Sequence, residues 1–267
     1  MVKTFGIDGI RDCFGSQYLK KIGGFAFCEW EPNYKYVHIP LIKIDHVNTQ
    51  AVKDLNIFIG IPDMRSGKKI DIIQKWRRDV FDNPDYFYTS CTMDKIRAYY
   101  WSSLKPKQCD HSIVVHIRRG DLGITEQGKR FIHPKRIVKN EHYARNIYKI
   151  LKNNSSSRVK IHTSVLGFAD NYSETGTNLK QCHKNYMSIF SKWPKDLLDR
   201  TTLSINENIV NTFHDMVTCD KLFMARSSLS YCAGLISTNE IFFQHGPSNS
   251  QTSKPLKTWN SWESYTA

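Results

Sequence analysis

The order of strand-like and helix-like segments predicts an α/β protein with mostly parallel sheets. Three observations carry this expectation. The chain opens as strand, glycine-bearing loop, helix and strand. From residue 112 onward, short β-branched runs alternate with helical periodicities. Between these regions Lys105-Pro106-Lys107 interrupts the pattern. Two Rossmann-like halves are expected, about 1–105 and 106–267, facing each other across a cleft.

The first strand is expected over Val2–Gly6, with a loop over Ile7–Gln17 that contains Gly9 and Gly15. An amphipathic helix follows over Gln17–Glu31, with Gly23-Gly24 in its middle. Each helical glycine costs roughly 1 kcal/mol relative to alanine and is tolerated where another element packs close. Tyr36–Ile39 reads as the second strand, ended by Pro40. No GxGxxG follows the first strand, which excludes the dinucleotide fingerprint. Val52–Ile61 is read as a helix and short strand, and Asn83-Pro84-Asp85 as a turn. Thr92–Leu104 has helical spacing, with Thr92 as its cap.

The second half gives strand 112–117, helix Glu141–Asn153, strand Val159–His162 and strand Thr202–Ile205. Helix Asn208–Thr218, strand Lys221–Met224, helix Leu229–Ser237 and strand Glu240–Gln244 complete it. Lys180–Leu198 has no clear period, and the polar tail after Gly246 reads as loop.

The chain has 267 residues, 40% of them hydrophobic, enough for a packed core. Its net charge of +13 implies an anionic partner. The basic residues are scattered and form no tract, which weighs against a nucleic-acid-coating arm. No apolar run approaches a membrane span, and no signal peptide is read at Met1-Val2-Lys3-Thr4. The seven cysteines form no CxxC and read as free thiols, so a cytoplasmic location is expected.

Chemistry concentrates in His116-Ile117-Arg118-Arg119-Gly120-Asp121, directly after the apolar run Ile113-Val114-Val115. Ligands of open α/β sheets bind beyond the carboxyl ends of strands. A guanidinium there suits a diphosphate, because its fork pairs with phosphate oxygens and keeps its charge. Arg118 is the primary diphosphate ligand in this reading and Arg119 a companion. Asp121 shapes the turn and His116 positions its neighbours. Ser227, Ser228 and Ser230 precede or open a helix, where amides and hydroxyls bind phosphate or simply cap.

The hexapeptide resembles the HxRRxD motif of the α1,2-, α1,6- and protein O-fucosyltransferase superfamily. The block Phe213–Asp220 followed by Ala225-Arg226-Ser227-Ser228-Leu229-Ser230-Tyr231 resembles that family's helix, strand and Ser-Ser-x-Ser turn. The resemblance covers mainly residues 112–245. It implies a GT-B architecture and an inverting, metal-independent transfer of L-fucose from GDP-fucose to a glycan or glycoprotein hydroxyl. It implies that Arg118 holds the β-phosphate and that Glu126, ten residues after the motif histidine, is the general base. Gly15, in Phe14-Gly15-Ser16-Gln17, is the loose counterpart of a glycine loop facing the sugar. His214 would face the nucleotide. Where the α1,6 enzymes carry a guanine-binding aspartate, this chain has Thr212, which leaves another GDP- or UDP-linked sugar open. No metal is expected, since there is no DxD triplet and no zinc spacing. No other cofactor is expected. The alternative of another class is a basic protein that binds nucleic acid without catalysis.

Overall fold

The computed structural model describes residues 3–5, 14–36, 78–102, 110–118, 140–154, 156–164, 190–244 and 254–262. The chain divides into two compact units. The first comprises Met1–Lys107, Ser227–Thr238 and Gln251–Trp259; the second comprises Gln108–Arg226, Asn239–Ser250 and Asn260–Ala267. Elements are numbered below among the described residues.

In the first unit, β1 (Lys3–Phe5) pairs parallel with β2 (Tyr34–Tyr36), with Lys3 opposite Tyr34. The crossover between them is α1 (Phe14–Trp30). This helix starts at Phe14, three residues before the expected Gln17, and of the strand expected over Tyr36–Ile39 the residues after Tyr36 lie outside the described residues. The short helix α2 (Pro84–Phe87) has proline in its first turn, where a missing N–H costs nothing. Next, α3 (Ser90–Trp101) is capped by Thr89, whose side chain accepts from Thr92 N at 3.3 Å. Thr92 is therefore inside the helix and buried.

Helix α7 (Ser228–Ile236) also belongs to the first unit. Its residues Ser230–Ile236 are all buried. Helical periodicity marked the apolar surface without naming what covers it; α1 and α3 do. Fully buried Tyr18, Ile22, Ile96, Tyr100, Cys232 and Leu235 come from these three helices. Arg97 ties α3 to the end of α7, donating from Nε to Ile236 O at 3.1 Å and from Nη2 to Ser237 O at 3.2 Å. A cation is favourable there, where helix carbonyls lack partners.

The second unit is a six-stranded sheet. Its strands are β3 (Ile113–Ile117), β4 (Val159–Thr163), β5 (Thr201–Ile205), β6 (Lys221–Phe223), β7 (Glu240–Gln244) and β8 (Asn260–Trp262). All pair parallel in the order β5-β4-β3-β6-β7-β8. The α/β class with a mostly parallel sheet is as the alternation implies. β8 lies in the tail read as loop, because three residues bordered by polar ones carry no strand signal.

One face of the sheet carries Ile113, Val115 and Ile117 of β3 with Val159 and Ile161 of β4. Tyr143, Ile147 and Leu151 of α4 (Asn140–Lys152) pack on them. Phe190, Trp193 and Leu197 of α5 (Lys195–Asp199) and the turn before it close this core. β3 is buried at all five positions, as a central parallel strand with both faces covered must be. Helix α6 (Ile209–Thr218), capped by Asn208 Oδ1 accepting from Val210 N at 2.8 Å, follows β5. Among the described residues, no helix is long and apolar enough to cross a membrane.

Candidate functional site

Counted within the second unit, the strands lie in the order third, second, first, fourth, fifth, sixth. The order reverses between β3 and β6. The first connection leads off one way from β3 and the later ones the other way, which leaves a crevice at the carboxyl ends of these two strands. Open α/β sheets bind their ligands in that crevice.

Arg118 is the first residue past β3. Arg226 lies three residues past β6. The Arg118 guanidinium donates from Nη1 to the main-chain carbonyl of Arg226 at 2.9 Å. The bond spans the reversal point and fixes one arginine head over the carboxyl edge of the neighbouring strand. Arg118 is half-buried and Arg226 is 7% exposed. Two guanidinium-bearing residues thus stand at the ends of two adjacent parallel strands. Sequence reasoning found Arg118. It quoted Arg226 within the serine turn without giving it a part.

His116 occupies the fourth position of β3, opposite His162 of β4, and is buried. His214 is buried on α6 at 2% exposure. Arg119, Asp121 and Glu126 lie outside the described residues. The serines lie in the first unit. Ser227 is the N-cap of α7, its Oγ accepting from Leu229 N at 3.2 Å. Ser230 is fully buried and donates to Ser227 O at 3.3 Å. Ser228 is the first residue of the helix.

Gly15 is not in a loop. It sits in the first turn of α1, where a Cβ would lie 2.5 Å from Leu229 N and 2.7 Å from Leu229 Cα. The absent side chain lets α1 and α7 approach backbone to backbone. The sequence reading looked for such an approach at Gly23-Gly24; Gly15 provides one as well.

A cluster absent from the sequence reading lies between β4, β5 and α6. Alternation puts Lys160 and His162 of β4 on the face opposite Val159 and Ile161. Lys160 Nζ donates to Asp215 Oδ2 at 2.7 Å and lies 3.0 Å from Glu207 Oε2. His162 places Nε2 3.0 Å from Asp215 Oδ2 and Nδ1 3.3 Å from Glu207 Oε2. Ser204 donates to Glu207 as well. Thr212 turns inward, its Oγ1 3.5 Å from His162 Nδ1.

Burial alone would raise the pKa of Asp215, but bonds from His162 and Lys160 hold it below the ordinary aspartate value. Burial alone would lower Lys160, and bonds to Asp215 and Glu207 hold it above the ordinary lysine value. Donor atoms of His162, Glu207 and Asp215 lie within 4.8 Å of one another, the spacing of a metal ligand set. The chain fills the cation's place with Lys160. The imidazole turns opposite nitrogens toward the two carboxylates. The cluster fits a lysine-neutralised ion network that holds α6 to the sheet.

No protein-family pattern matches this chain, and no curated protein does. Three solved structures are similar at low identity. E. coli heptosyltransferase WaaC with ADP-2-deoxy-2-fluoro heptose is 11% identical, covering 98% of this chain and 93% of that one, with a TM-score of 0.42. E. coli ADP-heptose LPS heptosyltransferase II is 10% identical, covering 100% and 92%, with a TM-score of 0.44. E. coli heptosyltransferase WaaC with ADP is 10% identical, covering 98% and 92%, with a TM-score of 0.43.

Proposed function

We propose that the protein is a glycosyltransferase that takes a sugar from a nucleoside-diphosphate donor and passes it to a glycan hydroxyl, with inversion. One observation carries the reading: Arg118, held by the Arg226 carbonyl, stands where the strand order reverses in a parallel sheet. A nucleoside diphosphate leaves with more negative charge than it carried in the donor. A fixed guanidinium therefore stabilises the transition state more than the ground state. Arg119 adds a second cation in this reading. Glu126 takes the proton from the acceptor hydroxyl as its oxygen attacks the anomeric carbon opposite the departing diphosphate.

L-fucose from GDP-fucose is the donor that the His116–Asp121 motif and the Ser227–Tyr231 turn favour. Thr212 keeps other bases in play, since the structure turns its hydroxyl inward to His162. Titration of the full chain with GDP, ADP, UDP and dTDP by calorimetry tests the assignment. GDP is expected to bind most tightly. Tight binding of another nucleotide with none of GDP removes the fucose assignment. No nucleotide binding, with duplex or single-strand binding that falls steeply with salt, replaces the enzyme reading by the nucleic-acid one.

A further inference from the structure

We propose that Gln244 is a ligand of the nucleotide-sugar donor, its side-chain amide donating a hydrogen bond to an oxygen of the nucleoside diphosphate. The inference rests on the transferase reading above and adds a residue that lies outside both the His116–Asp121 motif and the serine turn. Gln244 is the last residue of β7, the strand next to β6, and is 2% exposed. Tyr143 Oη, near the start of α4, donates to Gln244 Oε1 at 3.4 Å. That contact orients the amide and leaves its NH2 group for an acceptor. Nε2 is buried, and among the described residues no acceptor reaches it. A buried N–H without a partner is costly, and a native chain that keeps one needs a reason for it. Ile241, Phe242 and Phe243, the residues before it in β7, show what this strand carries where packing alone decides.

The strand register says where this amide stands. Phe242 is level with Phe223, and Phe223 with Val115. Two residues further along each parallel strand, Gln244, Ala225 and Ile117 fall in one row. Arg226 and Arg118 are the next residues after that row. Gln244 therefore stands at the same carboxyl edge as the bond between Arg118 and the Arg226 carbonyl. Strand spacing puts it about 5 Å from β6 and about 10 Å from β3. A nucleoside diphosphate held by Arg118 spans that distance along the edge. The arginine answers the charge of the ligand, and the neutral amide answers an oxygen lone pair, which fixes orientation without further charge. Phosphate oxygens and nucleoside oxygens both offer that lone pair.

The test is calorimetric titration of the full chain with GDP, ADP, UDP and dTDP, then of its variants with the tightest binder and with pyrophosphate. Gln244→Met keeps the shape and removes the donor, and should weaken the nucleotide about tenfold, the size of one hydrogen bond. A matching loss for pyrophosphate assigns the bond to a phosphate oxygen; a loss for the nucleotide alone assigns it to the nucleoside. Glu240→Gln, at the amino end of the same strand, should bind as wild type does. Circular dichroism checks each fold, and Gln244→Asn, which draws the amide back by one methylene, carries the same prediction if Gln244→Met does not fold. Wild type that binds no nucleotide overturns the transferase reading and this proposal with it. Wild type that binds, with undiminished affinity in a folded Gln244→Met or Gln244→Asn protein, overturns the assignment of Gln244 alone.

Discussion

Replacing Asp215 with asparagine removes one charge from the network that holds α6 to the sheet and leaves the shape nearly unchanged. Asp215 is 5% exposed, and its Oδ2 takes two charge-assisted contacts, from Lys160 at 2.7 Å and from His162 at 3.0 Å. Each such bond is worth about 1.5–3 kcal/mol, against about 0.5–1.5 kcal/mol for a neutral one. Exchanging two of the first kind for the second predicts a loss of about 2–3 kcal/mol. Lys160 keeps Glu207, so the loss stays below the roughly 3–5 kcal/mol of a fully orphaned buried charge. Urea unfolding followed by circular dichroism measures it, as a midpoint lowered by about 1 M with an unchanged slope.

The pH dependence follows from the direction of each shift. Asp215 has a folded-state pKa below its unfolded value, so its contribution is present above the ordinary aspartate range and lost as pH falls through the lowered value. Lys160 has a raised one, so its contribution is present below the ordinary lysine range and lost as pH rises through the raised value. The gap between wild type and Asp215→Asn should therefore be flat near neutral pH and close in acid. A loss under about 0.5 kcal/mol, the scale of an ordinary surface change, refutes the clamp.

Three further outcomes are expected. Gly15→Ala should destabilise the first unit by about 1–3 kcal/mol, since the new methyl meets the Leu229 backbone and no side chain can yield; thermal denaturation reads it. Ser227→Ala should cost about 1 kcal/mol and Ser227→Gly only a few tenths if the hydroxyl serves chiefly as the α7 cap, measured in the same way. Glu126→Gln should leave nucleotide affinity intact by calorimetry while slowing transfer, because only the proton acceptor is lost.

The central strands were readable because a parallel strand covered on both faces is a run of β-branched residues, as in Ile113-Val114-Val115. Helices α4 and α6 were readable from their spacing, although Asn208, read as the first residue of α6, is its cap. The partners of those surfaces were not readable. The apolar residues of α7 do not say that α1 covers them, and a three-residue strand such as β8 exists only through pairing with β7. Arg118 announced itself as charge at the end of an apolar run. The ion cluster carried a weaker sign: Asp215 lies within Val210–Val217, where its neighbours His214 and Met216 are buried. A carboxylate there demands a buried cation. Which strand supplies it depends on the fold, and Lys160 and His162 looked like ordinary polar alternation in β4.

Turnover of Arg118→Ala tests the central claim most directly, with the nucleotide sugar that calorimetry selects and release of nucleoside diphosphate to a glycan acceptor as the readout. If the guanidinium neutralises charge that develops on the departing diphosphate, turnover falls by about 10²–10³, on the order of 2.7–4 kcal/mol, while nucleotide affinity changes far less. Arg118→Lys recovers little of the loss, since an ammonium cannot fork across two phosphate oxygens. Near-normal turnover in a folded Arg118→Ala protein contradicts the account.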